Sequence, residues 1–305
     1  MPKLLAPLKD RFTMVALAVA ACVVALIFIF GRPNAIEART TLPDAPATQA
    51  QQPPAPSPLA GLPRNLSDAM ASGRPVRIGI FGDSFGDGIW WALDQQLRGE
   101  DDIVLHRLAR PATGFTSYHH VNLLEDIRGK LDRQPVDIAI ISFGANDTQG
   151  IAHEGRALRF MSDEWRQVIG GRIDAVVGLM RERGIQVYWL GLPRMRAPTY
   201  EEKARALSGF YAERMRALGV PFIDTVAVTS DTRGRYVDRL PNPRNGQLMA
   251  ARSSDGIHMT MNGYTILTQG LARHLKNRVA TLRAEVARSN ARQASSRPAG
   301  AATNG

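Results

Sequence analysis

Between residues 67 and 288 the sequence predicts an α/β fold, a parallel sheet with helices on both sides. Three observations point there. Strand-like and helix-like segments alternate along the chain. The run Asp137 to Phe143 is almost wholly apolar, as a strand covered on both faces should be. Ile169, Ile173, Val176, Val177 and Met180 recur at three-to-four spacing, which puts them on one face of a helix from Trp165 to Arg183.

Taken in order, Val76 to Phe81 is a short β run, followed by a helical stretch through Trp90, Leu93 and Leu97. Ile103 to Leu105 is a second strand and Asp137 to Phe143 a third. After the Trp165–Arg183 helix comes a strand from Gln186 to Gly191, then a helix from Glu201 to Leu218 that Gly219 ends. Pro221 to Asp224 is a short last strand, and Met261 to about Arg288 a terminal helix. Ligands of such sheets bind beyond the carboxyl ends of the strands, so the chemistry should follow the strand runs.

The flanks differ in composition. Phe12 to Phe30 carries no charge over 19 residues, enough to cross a hydrocarbon core of roughly 30 Å as a helix. Lys3, Lys9 and Arg11 precede it, which predicts residues 1–31 as a cytoplasmic end plus a single transmembrane anchor. The catalytic domain would then face the periplasm or the outside of a bacterial inner membrane. The run ends in Ile-Phe-Ile-Phe, unlike the small residues of a signal-peptide cleavage site, so the anchor is read as uncleaved. Residues 32–66 are rich in Pro, Ala and Gln and read as a tether, and 289–305 as a disordered tail. Cys22, the sole cysteine, excludes an intramolecular disulfide.

The net charge is +10, but only Lys3, Lys9, Lys130, Lys203 and Lys276 among the 38 basic residues are lysine, and no long basic run occurs. This is an arginine-rich chain rather than a nucleic-acid binder. Neither a Walker phosphate loop nor Gly-x-Gly-x-x-Gly is present, so nucleotide binding has no support. His119-His120 lacks ligand-type neighbours at metal-binding spacing and reads as a surface loop pair.

Three segments sit where the sheet rule wants chemistry: Gly82-Asp83-Ser84 after the first strand, Gly144-Ala145-Asn146-Asp147 after the third, and Asp255-Gly256-Ile257-His258 before the last helix. A serine hydroxyl is a poor nucleophile until a histidine takes its proton and a carboxylate orients that histidine. Ser84, His258 and Asp255 supply these three types. The side chain of Asn146 and the backbone N–H of Gly114, with that of Ser84, are candidate donors to a developing oxyanion. Asp83 reads as a turn or helix-start residue and Asp147 as a brace for the Asn146 loop. Trp90-Trp91 is either core or a platform for a sugar or acyl group. Arg194 and Arg196, after a strand end, are either solvated charges or partners for an anionic substrate.

Gly82-x-Ser84-x-Gly86 also fits the elbow of α/β-hydrolases, but that serine normally follows several strands and an oxyanion-loop motif, and here it follows the first. The joint pattern resembles the SGNH (GDSL-type) hydrolases. Their first block matches Gly82, Asp83 and Ser84, their second Gly114, their third Gly144 to Asp147, and their fifth Asp255 and His258. Phe85 replaces the leucine usual after the serine, a departure expected to alter packing more than chemistry. The resemblance spans about Pro75 to Leu275. It implies a three-layer α/β/α sandwich with a parallel five-stranded, flavodoxin-like sheet, serine ester hydrolysis, and no metal or cofactor.

The expected substrate is an ester, foremost the O-acyl groups of an envelope or exported carbohydrate, by hydrolysis or transfer. A lysophospholipase or thioesterase acting on lipid esters is the alternative, and a non-catalytic envelope scaffold a third reading that the intact set of reactive residues argues against.

Overall fold

The computed structural model describes residues 58–296. The predicted anchor at 12–30 and most of the 32–66 tether lie outside the described residues. Among those described, no helix is long and apolar enough to cross a membrane.

The sheet is assembled from five parallel strands: β1 (Val76–Gly82), β2 (Ile103–Arg107), β3 (Ile138–Ser142), β6 (Gln186–Leu190) and β7 (Phe222–Ile223), in the order β2-β1-β3-β6-β7. Two hairpins stand apart from it. One pairs β4 (Ile151–His153) with β5 (Arg156–Leu158), the other β8 (Arg239–Pro241) with β9 (Leu248–Ala250).

Helices α1 (Arg64–Ser72), α2 (Ser84–Leu97) and α7 (Met261–Ser296) cover one face, and α3 (Leu123–Arg133), α4 (Asp163–Glu182) and α5 (Pro198–Ala217) the other; a one-turn α6 (Val226–Thr229) follows β7. Strand pleating explains the two cores, since successive side chains point to opposite faces. Ile138 and Ile140 pack with Ile89, Leu93 and Leu271, while Ala139 and Ile141 pack with Ile127, Ile173 and Tyr211. Every residue of β3 is buried, as its apolar run requires.

Two boundaries differ from the sequence reading. Helix α1 begins at Arg64, inside the stretch read as tether, because Leu66, Ala69 and Met70 form a buried stripe. Helix α7 runs on to Ser296, into the stretch read as a disordered tail, since Ala, Arg and Gln favour helix and no proline interrupts before Pro298.

Strand order reverses between β1 and β3: the chain moves outward to β2, then returns to the other side of β1. The loops after β1 and β3 therefore diverge and leave a crevice at their carboxyl ends.

Candidate active site

Ser84 is placed at the head of this crevice by a turn that only glycine permits. Gly82 has φ of +155°, and a Cβ there would collide with the Ser142 carbonyl oxygen of β3. The chain then enters α2 at once. Asp83, fully buried, caps that helix by accepting from the Phe85 N–H at 2.9 Å. Ser84 is the first helical residue, so its amide belongs to the group that no helical carbonyl satisfies.

His258 and Asp255 come from the loop between β9 and α7. The Ser84 Oγ lies 2.7 Å from His258 Nε2, and His258 Nδ1 lies 2.6 Å from Asp255 Oδ2. The other Asp255 oxygen accepts from the Ile257 and His258 amides at 2.8 and 3.0 Å, which folds the loop into a tight turn. Partial burial works to raise the Asp255 pKa, but the hydrogen bonds from His258 and the two amides outweigh it and hold the carboxyl at about 2.

This loop is fastened from outside, in part by a residue that sequence reasoning missed. The buried Arg252 guanidinium donates to the Ile257 carbonyl at 2.8 Å and sits over the Tyr236 ring at 4.9 Å. The Arg196 amide donates to the Gly256 carbonyl at 3.0 Å and its side chain to the Ser254 carbonyl. Arg194 pairs with Glu201 at 2.7 Å. Both strand-end arginines thus have protein partners, Arg194 in Glu201 and Arg196 in the His258 loop. Nothing in the sequence distinguishes Arg252 from the many other arginines.

Opposite Ser84, the Asn146 amide donates to the Thr113 carbonyl at 2.9 Å and approaches Asp83 Oδ2 at 3.5 Å, the outer limit of a hydrogen bond. This bond draws the Thr113–Gly114 peptide against the β3 loop. Gly114 is extended (φ −179°), so its glycine is a matter of space: a Cβ would collide with Asp147 Oδ1. Asp147 is buried and accepts from the Thr116 amide at 2.8 Å, the Thr116 hydroxyl at 3.0 Å and the Tyr211 hydroxyl at 3.0 Å. It therefore ties the Gly114 loop, the β3 loop and α5 together, a wider brace than the sequence suggested. Burial raises its pKa.

Burial also pushes Asp83 up, to about 7; the nearby Asp147 adds to the rise, and the Phe85, Gly144 and Ala145 amides oppose it. The structure thus brings all seven singled-out residues (Asp83, Ser84, Gly114, Asn146, Asp147, Asp255 and His258) to one end of the sheet. His119 and His120 are exposed, and neither lines the cleft beside Ser84. Among the described residues no three ligand-type side chains converge as a metal site.

Beside Ser84 and His258 lies a cleft of about 280 Å³ lined by Asp87, Trp90, Trp91, Arg107, Met259, Met261 and Tyr264 among others. Three larger clefts, of about 470, 480 and 460 Å³, lie at the amino end of β6, along α7 and at the β4–β5 hairpin, and none includes Ser84.

No curated protein matches the sequence. Among solved structures the chain is similar to a GDSL-like lipase from Bacteroides thetaiotaomicron at 17% identity, covering 73% of this chain and 98% of that one with a TM-score of 0.45. It is similar to a carbohydrate acetylesterase from Sinorhizobium meliloti at 15% identity, covering 66% and 98% with a TM-score of 0.42. It is also similar to an aryl esterase from M. smegmatis at 19% identity, covering 66% and 99% with a TM-score of 0.45. The model of one family, described as "Protein of unknown function (DUF459)", matches residues 77–274, more than half of the chain, and the chain belongs to that family.

Proposed function

We propose that this chain is a serine ester hydrolase with Ser84 as nucleophile, His258 as general base and Asp255 as the group that orients it. The observation that carries this reading is the unbroken line Ser84 Oγ–His258 Nε2 at 2.7 Å and His258 Nδ1–Asp255 Oδ2 at 2.6 Å. The three residues come from two loops that the sheet topology brings together, and both distances lie within hydrogen-bonding reach of proton transfer. The Gly-Asp-Ser, Gly-x-Asn-Asp and Asp-x-x-His blocks of the SGNH hydrolases support the same roles.

In the mechanism, His258 Nε2 takes the Ser84 proton as Oγ attacks the ester carbonyl carbon, and Asp255 keeps the other imidazole proton on Nδ1. The resulting oxyanion is received by the Ser84 and Gly114 amides and by the Asn146 side chain. One good donor of this kind contributes about 3 kcal/mol to the transition state. His258 then protonates the leaving alcohol as the carbon–oxygen bond breaks. Water, deprotonated by His258, attacks the acyl-serine, and the acid leaves as Ser84 regains its proton; an acceptor hydroxyl in place of water gives acyl transfer.

The preferred substrate is an O-acylated carbohydrate of the cell envelope or an exported polymer. The uncharged run at 12–30 supports a placement in which a single anchor holds the domain on the outer side of a bacterial inner membrane. The test is to assay the full-length protein on acetylated glycans, acetyl esters and long-chain acyl esters. Hydrolysis of the acetylated substrates that Ser84→Ala abolishes is the expected result. Inert acetylated substrates, or better turnover of long-chain lipid esters, would overturn the carbohydrate assignment.

A further inference from the structure

The first two turns of α2 present Ser84, Asp87, Gly88 and Trp91 at the spacing of one helix face, so whatever touches Ser84 on that side continues onto Trp91. The cleft of about 280 Å³ begins at Ser84 and His258 and follows this face. Its walls combine two chemistries. Trp91 and Met261 are large apolar side chains left 36% and 42% exposed, an unusual cost beside a reactive serine. Against them stands a bidentate ion pair, Arg107 to Asp87 at 2.6 and 2.8 Å, whose guanidinium lies 5.3 Å over the Trp90 ring.

Position decides which half of an ester belongs there. The oxyanion donors Gly114 and Asn146 do not line the cleft, whereas His258 does. His258 Nε2 must reach the leaving oxygen in order to protonate it, so the cleft lies on the leaving-alcohol side of Ser84. Chemistry decides what the alcohol is. A long acyl chain laid along this cleft would strip water from the Asp87–Arg107 pair and return no hydrogen bond. A sugar ring sets its C–H face on an aromatic platform and its hydroxyls on fixed donors and acceptors, the mixture of apolar lining and few polar groups that small-molecule sites use. The volume suits one ring rather than a longer segment.

We propose that this cleft is the subsite for the alcohol half of the ester, a single sugar unit stacked on Trp91 with its hydroxyls bonded to Asp87 and Arg107. The inference rests on Ser84 being the nucleophile and assigns the substrate selectivity of that site to residues of α2 and the end of β2.

Three esters separate the possibilities on the full-length protein: ethyl acetate, 6-O-acetylglucose with the same acyl group on a sugar whose other hydroxyls are free, and ethyl octanoate with the same alcohol on a longer chain. In Trp91→Ala, kcat/KM for the acetylated sugar relative to ethyl acetate should fall about tenfold, the worth of one lost aromatic contact. Arg107→Gln should lower the same ratio. The octanoate-to-acetate ratio should stay at its wild-type value in both. A sugar ratio that does not move, or a fall in the octanoate ratio instead, overturns the subsite while Ser84-dependent hydrolysis of ethyl acetate leaves the esterase reading standing. Hydrolysis of ethyl acetate that survives Ser84→Ala at the wild-type rate overturns both.

Discussion

Phe85 stacks on His258, with ring centroids 5.5 Å apart and planes 21° from parallel, and presents its edge to Tyr264 at 5.9 Å. The residue that follows the candidate nucleophile thus buttresses the candidate base. The SGNH pattern has leucine at this position, a departure that, from sequence alone, bears on packing more than on chemistry. In this fold the packing falls on the imidazole itself, so the two are not separable. Phe85→Leu should leave the protein folded but lose roughly 0.5–1.5 kcal/mol of ring–ring contact. The expected result is a fall in kcat of up to about tenfold with a small drop in the urea midpoint, read from steady-state kinetics and denaturation of the same preparations.

Removing Ser84 or His258 should be far more severe. Because such residues act as a unit, either alanine variant should lower kcat by about 10⁴–10⁶. Asp255→Asn should be milder in kcat. With its pKa held at about 2, Asp255 stays ionised throughout any ordinary assay range. Its contribution to stability is present above the usual carboxylate pKa and is lost only as the pH falls through about 2. Activity lost between pH 7 and pH 4 should therefore not track protonation of Asp255. Full-length protein assayed across that range on an acetyl ester reads this directly.

Asp83 has the opposite sign. Its pKa rises from the usual carboxylate value to about 7 on folding, so the native state holds its proton more tightly than the unfolded chain does. The associated stability is complete below the unfolded pKa of about 4 and is lost as the pH rises through about 7. The wild-type urea midpoint should decline between pH 5 and pH 8. Asp83→Asn keeps an oxygen for the Phe85 amide but removes the charge, so its decline should be shallower. It should not vanish, because burial raises Asp147 in the same direction. Equal slopes in the two proteins would contradict this assignment.

Gly114→Ala tests the junction between the loops that carry the proposed oxyanion donors Gly114 and Asn146. The added methyl would collide with Asp147 Oδ1, itself fixed by Thr116 and Tyr211, so one of the two loops must move. The outcome should be a loss of stability of about 1–3 kcal/mol for overpacking, with kcat reduced well beyond KM as the Gly114 and Asn146 donors separate. Unchanged kinetics would show that these loops do not need their observed spacing.

Much of this was legible in the sequence for identifiable reasons. The central strands β1, β3 and β6 announce themselves because they are buried on both faces, and α4 because its apolar stripe is long. The site blocks are legible because each follows a strand or precedes a helix, and the pairing of β1 with β3 then puts the Ser84 and Asn146 turns at one end of the sheet. What escaped is held by interactions without a periodic signal. The β4–β5 and β8–β9 hairpins have strands of three residues, too short for alternation to register. Helix α3 carries Leu123, Ile127 and Leu131 at four-residue spacing behind the Asn122 cap, a signal that was available and overlooked. Arg252 reaches the His258 loop through backbone carbonyls, which have no sequence signature at all. The Trp90-Trp91 pair was ambiguous between core and platform; in the fold Trp90 is half-buried beneath Arg107, and Trp91 is exposed beside the serine.

The central claim is that His258 makes one particular hydroxyl reactive. A fluorophosphonate reports this without a guess at the substrate, because it phosphonylates only an activated serine. Full-length protein treated with the probe and mapped by peptide mass spectrometry should carry the adduct on Ser84, with labelling abolished in Ser84→Ala and slowed by orders of magnitude in His258→Ala. An adduct on another residue, or a native protein that resists the probe entirely, would contradict the account.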